Sequence, residues 1–342
     1  MDLPARRIHV FPGMKQPFPT GDIIRNHTER EFEEMALAVF RFQAENNKVY
    51  REYLQYLGIS SGSIEKLSEI PFLPARLFKT RRVICGYRQP EAVFTSSTTT
   101  GAVPSRHEVP DLSIYRRSLI SAFERIYGPV GDWCILALLP SYLEREGSSL
   151  VFMAREWIKR SRHPQSGFFP EPKGELPEIL NRQQKSGEKT LLLGVSFALL
   201  DLAEKGPFGF SRITVMETGG MKGRRREMTR QELHGMLKER LGIETVHSEY
   251  GMTELLSQAY STGNGLFYPP PWMGIFIRDR YDPFAQVPDG ATGGINVIDL
   301  ANVYSCAFIE TEDLGRRLPG GGFEVLGRYD QSEIRGCNLM AG

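Results

Sequence analysis

Apolar residues recur at helical spacing soon after residue 28. Phe32, Met35, Ala36, Val39 and Phe40 fall on one helix face, and Thr28 with Glu31 has the S/T-x-x-E form of a capping box at its start. Asn46 and Asn47 interrupt the stripe. It resumes at Val49, Tyr50, Tyr53, Leu54 and Leu57, where Gly58 can end a second helix. The segment IPFLPARLFK, residues 70–79, has two prolines in four positions and reads as an extended connection.

The middle of the chain alternates. TLLLG (190–194), ITVM (213–216) and IETVH (243–247) read as strands. Helices are predicted between and after them. One runs from about Ser196, as N-cap, to Gly206. A second follows the capping box Thr229–Glu232, with Leu233, Met236, Leu237 and Leu241 on one face and Gly242 as stop. A third follows Gly251, with Met252, Leu255, Leu256 and Ala259 at i, i+3, i+4 and i+7. This β-α-β-α-β-α order predicts a parallel sheet covered on both faces. Ligands of such sheets bind beyond the carboxyl ends of the strands, here at loops 217–228 and 248–253. From about Gly293 the runs INVIDL, CAFIE and GFEVLG predict a small β subdomain, followed by a short tail.

The 342 residues suffice for a large core without a metal or disulfide staple. A net charge of +1 gives no reason to expect nucleic acid as a partner. The longest apolar run, residues 191–200, falls short of a membrane span, and residues 1–13 lack the apolar core of a secretory signal. Cys85, Cys134, Cys306 and Cys337 form no CxxC motif, and four thiols without a signal predict a reducing cytoplasm.

Four segments can carry chemistry. FTSSTTTG (94–101) follows a strand-like AVF and places hydroxyls at Ser96, Ser97, Thr98, Thr99 and Thr100 before Gly101. Such a loop can wrap a polyphosphate, or be a solvated turn. METGGMKGRRRE (216–227) brings Gly219 and Gly220, which permit close approach to a flat ligand, and an arginine run that meets phosphate or solvent. SEYGMTE (248–254) presents the Tyr250 ring, turns at Gly251, and offers the Thr253 hydroxyl and the Glu254 carboxylate. The plain alternative is a capped helix start. IETEDLGR (309–316) and GFEVLGRYDQSEIRGCNLM (322–340) contribute Asp313, in a turn suited to a ribose diol or simply an acidic turn, and Arg328. A rival, Gly194-Val195-Ser196-Phe197-Ala198, has the form of a nucleophile elbow, with Asp201 or Glu217 and His234 or His247 as triad partners, but no oxyanion HGG motif accompanies it.

Together the four segments resemble the adenylate-forming superfamily, over about residues 71–340. FTSSTTTGAVPSRH stands at the Ser/Thr/Gly phosphate loop, SEYGMTE matches Y-G-x-T-E, TEDLGR matches T-G-D-x-G-R, and GRYDQSEIRG matches G-R-x-D-x-x-I-x-x-G. IPFLPARLFK, LLPSYLEREGSSLV and ETGGMKGRR point to the branch of LuxE-like acyl-protein synthetases, and the resemblance extends to phenylacetate-CoA ligase. The resemblance implies an α/β N-terminal adenylation domain with a β subdomain. It divides the chain into a helical lead-in (1–70), an adenylation domain (71–327) and a vestigial start of the C-terminal lid domain (328–342).

The implied activity is ATP-dependent activation of a carboxylic acid, expected to be a fatty acid, with transfer to a thiol. By resemblance, Ser96, Ser97, Thr98, Thr99, Thr100 and Gly101 hold phosphates. Gly219, Gly220, Tyr250 and Gly251 line the adenine, Thr253 contacts phosphate, Glu254 serves Mg²⁺, and Asp313 with Arg328 holds the ribose. The acceptor is CoA, a carrier-protein thiol or Cys337, whose neighbour Arg335 would favour a thiolate; Cys337 can equally pack as a small apolar residue. Departures are Thr98 for a glycine, Arg106 for a lysine, Glu312 for the glycine before Asp313, and the missing lid with its lysine. The other reading they leave open is a non-catalytic nucleotide- or acyl-binding subunit of an acyl-transfer or reductase complex.

Overall fold

The computed structural model describes residues 19–97, 103–140, 147–219 and 228–328. Thr98, Thr99, Thr100, Gly101, Gly220, the run Arg224 to Arg226 and Cys337 lie outside them.

The first long helix, Glu29–Asn46, starts at the expected capping box: Glu31 N donates to Thr28 Oγ1 at 3.3 Å and Thr28 N to Glu31 Oε2 at 2.8 Å. Asn47 both ends it and begins Lys48–Tyr56, accepting from Tyr50 N at 3.1 Å. The Asn47 amide donates to Ser305 O at 2.8 Å, so the break in the stripe is also a tie to a distant loop. Phe40, Tyr50, Phe72 and Phe308 pack ring on ring and fasten these helices to the second of two large sheets.

The first sheet has the order Gly167–Phe169, Cys134–Leu138, Thr190–Val195, Ile213–Thr218, Val246–Tyr250, Ala259–Ser261. All neighbours are parallel except the last pair. Cys134–Leu138 and Thr190–Val195 are buried throughout, as a sheet covered on both faces requires. The helix Arg230–Leu241 has its capping box at Thr229 and Glu232, and Gly242 closes it in the left-handed conformation at φ 69°. That closure uses Ile243, whose N–H donates back to Lys238 O at 3.3 Å, so the next strand begins at Val246 rather than Ile243. Ser196 is not an N-cap. Val195 occupies that position, and the Ser196 hydroxyl donates to Gly219 O at 2.8 Å and Glu217 Oε2 at 3.3 Å.

The helix expected after Gly251 does not form. Its backbone donors are taken by a side chain from the other sheet: Asp299 Oδ2 accepts from Leu256 N at 2.7 Å and Ser257 N at 3.0 Å, and Asp299 Oδ1 from the Ser257 hydroxyl at 2.6 Å. The chain then continues directly into the strand Ala259–Ser261. The helical spacing of Leu255, Leu256 and Ala259 records burial in a turn, not a helix.

The second sheet is antiparallel, in the order Leu266–Phe267, Phe323–Arg328, Phe308–Arg317, Thr292–Asp299, Met273–Arg278. It takes in strands before residue 293 that Pro269, Pro270 and Pro271 conceal in the sequence. The supposed connection IPFLPARLFK supplies a strand too. Leu73–Pro74 pairs parallel with Ile309 and Glu310, and the one-turn helix Leu77–Thr80 follows. Replacing Asp299 with alanine should strand three buried N–H donors, those of Leu256, Ser257 and Ala301. A stability loss of about 3 kcal/mol is expected in denaturant unfolding; unchanged stability would mean that this carboxylate does not hold the turn.

Candidate active site

The carboxyl ends of Ile213–Thr218 and Val246–Tyr250 face the second sheet and the hairpin Ala92–Thr95/Arg106–Val109 across a cavity of about 590 Å³. Four segments far apart in sequence converge on it. Ser96 and Ser97 come from the hairpin, Gly219 from the strand end, Gly251, Thr253 and Glu254 from the turn, and Arg328 from the last strand. Arg76 and Lys79 reach it because the Leu73–Pro74 strand delivers the short helix there.

Tyr250 and Asp313 stand behind this wall. Tyr250 is 8% exposed; its ring meets Phe267 and Phe323 edge-on, and its hydroxyl donates to Asp313 Oδ2 at 2.9 Å. Asp313 is not in a turn. It lies within Phe308–Arg317, directly paired with Arg328, whose Nη1 donates to Asp313 Oδ1 at 3.0 Å while Nη2 donates to Glu312 Oε2 at 2.9 Å. Both Asp313 oxygens are therefore oriented by protein donors, each with acceptor capacity left for a diol. The Tyr250 ring is a packing element of that arrangement, held from behind rather than presented as an open platform.

Residues absent from the motifs hold the Tyr-Gly-Met-Thr-Glu turn. His107 is fully buried, with Nδ1 2.8 Å from Thr253 O and Nε2 2.9 Å from Ser305 Oγ. A carbonyl only accepts, so Nδ1 carries the proton and Nε2 accepts from the Ser305 hydroxyl. Burial pushes the His107 pKa down to about 4, which keeps the imidazole neutral. Asn302 Nδ2 donates to Glu254 O at 2.8 Å. Position next to the hydroxyl-rich loop could have singled out His107; nothing in sequence spacing links Asp299 or Asn302 to residues more than 40 positions away.

The carboxylates differ by environment. Burial raises the Glu254 pKa, opposed by a hydrogen bond from Ser105. Glu249 is pushed up to about 7, first by burial and then by nearby Glu217, against a hydrogen bond donated by Thr218 Oγ1 to Glu249 Oε2. A Cβ at Gly251 would meet Glu249 Oε1, so any larger residue there would push the carboxyl aside. The triad reading fails on geometry. Ser196 meets Glu217 directly, His234 Nε2 lies 3.7 Å from Glu217 on the carboxylate's other oxygen, and His247 pairs with the Tyr127 hydroxyl. Cys85, Cys134 and Cys306 are buried thiols whose pKa values burial raises. Among the described residues no helix is long and apolar enough to cross a membrane.

The fold is similar to that of a 2-hydroxyisobutyryl-CoA ligase solved in an open conformation with 2-HIB-AMP and CoA, at TM-score 0.63 and 14% identity, over 93% of this chain and 76% of that one. The same ligase in its postadenylation state gives TM-score 0.64 and 14% identity, over 92% and 73%. ATP-bound MatB from Rhodopseudomonas palustris gives TM-score 0.51 and 18% identity, over 69% of this chain and 48% of MatB. The chain thus spans about three quarters of the ligase and about half of MatB. No protein-family model and no curated protein matches the sequence. At these identities the likeness establishes that the chain shares the α/β fold of these proteins.

Between pH 4.5 and about 7 the folded chain holds a proton on Glu249 that the unfolded chain releases, so this group's contribution to stability falls as pH rises through that window. Glu249→Gln removes the titration. Its stability relative to wild type should be higher at pH 8 than at pH 4, by about 3 kcal/mol. Parallel stability curves for the two proteins across that range would contradict the assignment.

Proposed function

We propose that this chain activates a carboxylic acid with ATP as an acyl-adenylate and passes the acyl group to a thiol. The observation that carries the reading is the convergence of Ser96, Ser97, Gly219, Thr253, Glu254 and Arg328 on one cavity, with Asp313 oriented behind it by Tyr250 and Arg328. In this reading the hydroxyls of the hairpin loop (Ser96, Ser97, Thr98, Thr99 and Thr100, with Gly101) and Thr253 bind the phosphates. Gly219, Gly220 and Gly251 border the adenine with Tyr250 packed behind them, and Asp313 with Arg328 takes the ribose.

A carboxylate oxygen attacks the α-phosphorus, the bond to the bridging oxygen breaks, and pyrophosphate leaves with that electron pair. Two anions must be brought together for this, so Arg76, Lys79 and Arg328 offset charge at the cavity wall while the turn fixes alignment. The acceptor sulfur then attacks the acyl carbonyl and AMP departs. That sulfur belongs to Cys337, a carrier protein or CoA. Among the described residues no group of three or more His, Cys, Asp or Glu is arranged to hold a metal. Glu254, with Glu312 nearby, fits Mg²⁺ in the manner of sites that draw their remaining oxygens from substrate phosphates. Bound there, the ion would neutralise phosphate charge.

Pyrophosphate release from ATP, measured across short, fatty and aromatic acids with and without CoA, tests the reading. Release that depends on one class of acid is expected, and Asp313→Ala should raise the KM for ATP about tenfold or more through loss of a charge-assisted hold. ATP binding without release for any acid would favour the binding-subunit reading instead.

A further inference from the structure

Of the cations that line the cavity among the described residues, Arg328 and Arg76 already have carboxylates beside them. Arg328 donates to Asp313 at 3.0 Å and to Glu312 at 2.9 Å. Arg76 is exposed and lies close to the Glu310 carboxyl. Lys79 differs. It is half-buried, and no described residue takes a hydrogen bond or an ion pair from its ammonium.

Its place is fixed by its neighbours. Pro74 pairs with Glu310, Ala75 N donates to Glu310 O at 2.9 Å, and the one-turn helix Leu77–Thr80 follows. Phe78 is fully buried, and its ring meets the His107 imidazole edge-on at 5.5 Å. The same imidazole holds Thr253 O. His107 also belongs to the hairpin whose other strand, Ala92–Thr95, leads into Ser96 and Ser97. The helix that carries Lys79 is thus anchored on the residue that joins this hairpin to the Thr253 turn.

A ligand that fills the cavity displaces water from the ammonium. A base, a sugar or an alkyl chain laid on it would leave a charge with neither water nor counter-ion, which is costly. An anionic oxygen would meet it. Two kinds take part in adenylation, the phosphate oxygens of the nucleotide and the carboxylate of the acid. The anchor favours phosphate, because His107 ties the Lys79 helix to Thr253 and to the hairpin of Ser96 and Ser97, the residues assigned to phosphate.

We propose that Lys79 binds a phosphate of the nucleotide, as a cation supplied from outside the four motif segments; the identity of that anion rests on the adenylation reading.

The test compares the full chain with Lys79→Met, which keeps the apolar stem and removes the charge, and with Lys79→Arg, which restores it. Lys79→Gln serves should Lys79→Met not fold. Calorimetry with ATP and adenosine is paired with pyrophosphate release and the KM for the acid. Lys79→Met should weaken ATP about tenfold or more, leave adenosine within about twofold, and flatten the salt dependence of ATP binding. Lys79→Arg should recover most of the ATP affinity. Equal losses for ATP and adenosine would mark a merely structural residue and overturn the inference. Intact ATP affinity with a raised KM for the acid would give the cation to the carboxylate, and overturn it too. Charge-dependent ATP binding without pyrophosphate release for any acid would sustain the inference and overturn the adenylation reading. Release by wild type, with ATP affinity unchanged in Lys79→Met, would overturn the inference and leave adenylation standing. A wild type that binds no ATP would overturn both.

Discussion

The buried Asp299 carboxylate is the interaction on which the site depends. It lies at the end of a strand of the antiparallel sheet, yet it binds the backbone of Leu256 and Ser257, which leads into the edge strand of the parallel sheet. Burial lifts its pKa to about 6, and four hydrogen bonds work against that rise. With Asn302 on Glu254 O and His107 on Thr253 O, it turns a segment with helical spacing into a rigid turn. The two sheets are thereby locked to each other at the point where Thr253 and Glu254 enter the cavity. A buried charge satisfied by main-chain donors favours one geometry over its competitors, because a shifted turn would leave donors and acceptor unmet.

The same construction brings different chemistries to one cavity. Arg76, Lys79 and Arg328 supply cations to its lining, and Ser96 and Ser97 supply hydroxyls. Thr218 and Glu249 line it from the parallel sheet. Polyanions and carboxylates are drawn to the cations. The cavity stands at the carboxyl ends of parallel strands, where such sheets form crevices.

The sequence makes local features legible and long-range ones obscure. The capping boxes at Thr28 and Thr229 appear where they were read, because each is closed within four residues. The buried strand Thr190–Val195 was visible for the same reason: its apolar run is continuous and the next helix follows at once. The turn after Gly251 carries helical spacing, and the Asp299 carboxylate that diverts it sits some 40 positions downstream. The strands Leu73–Pro74 and Met273–Arg278 were hidden by prolines, which occupy edge or terminal positions where no ladder donor is missed. Of the motif residues, Ser96, Ser97, Gly219, Gly251, Thr253, Glu254 and Arg328 line one cavity; the parts of His107, Asp299 and Asn302 required the fold.

The most direct measurement is a crystal structure of the chain with a hydrolysis-resistant acyl-adenylate mimic. The account predicts the ribose on Asp313 and Arg328 and the phosphate beside Thr253. A mimic bound elsewhere, or one whose adenosine and acyl ends lie reversed in the cavity, would contradict it.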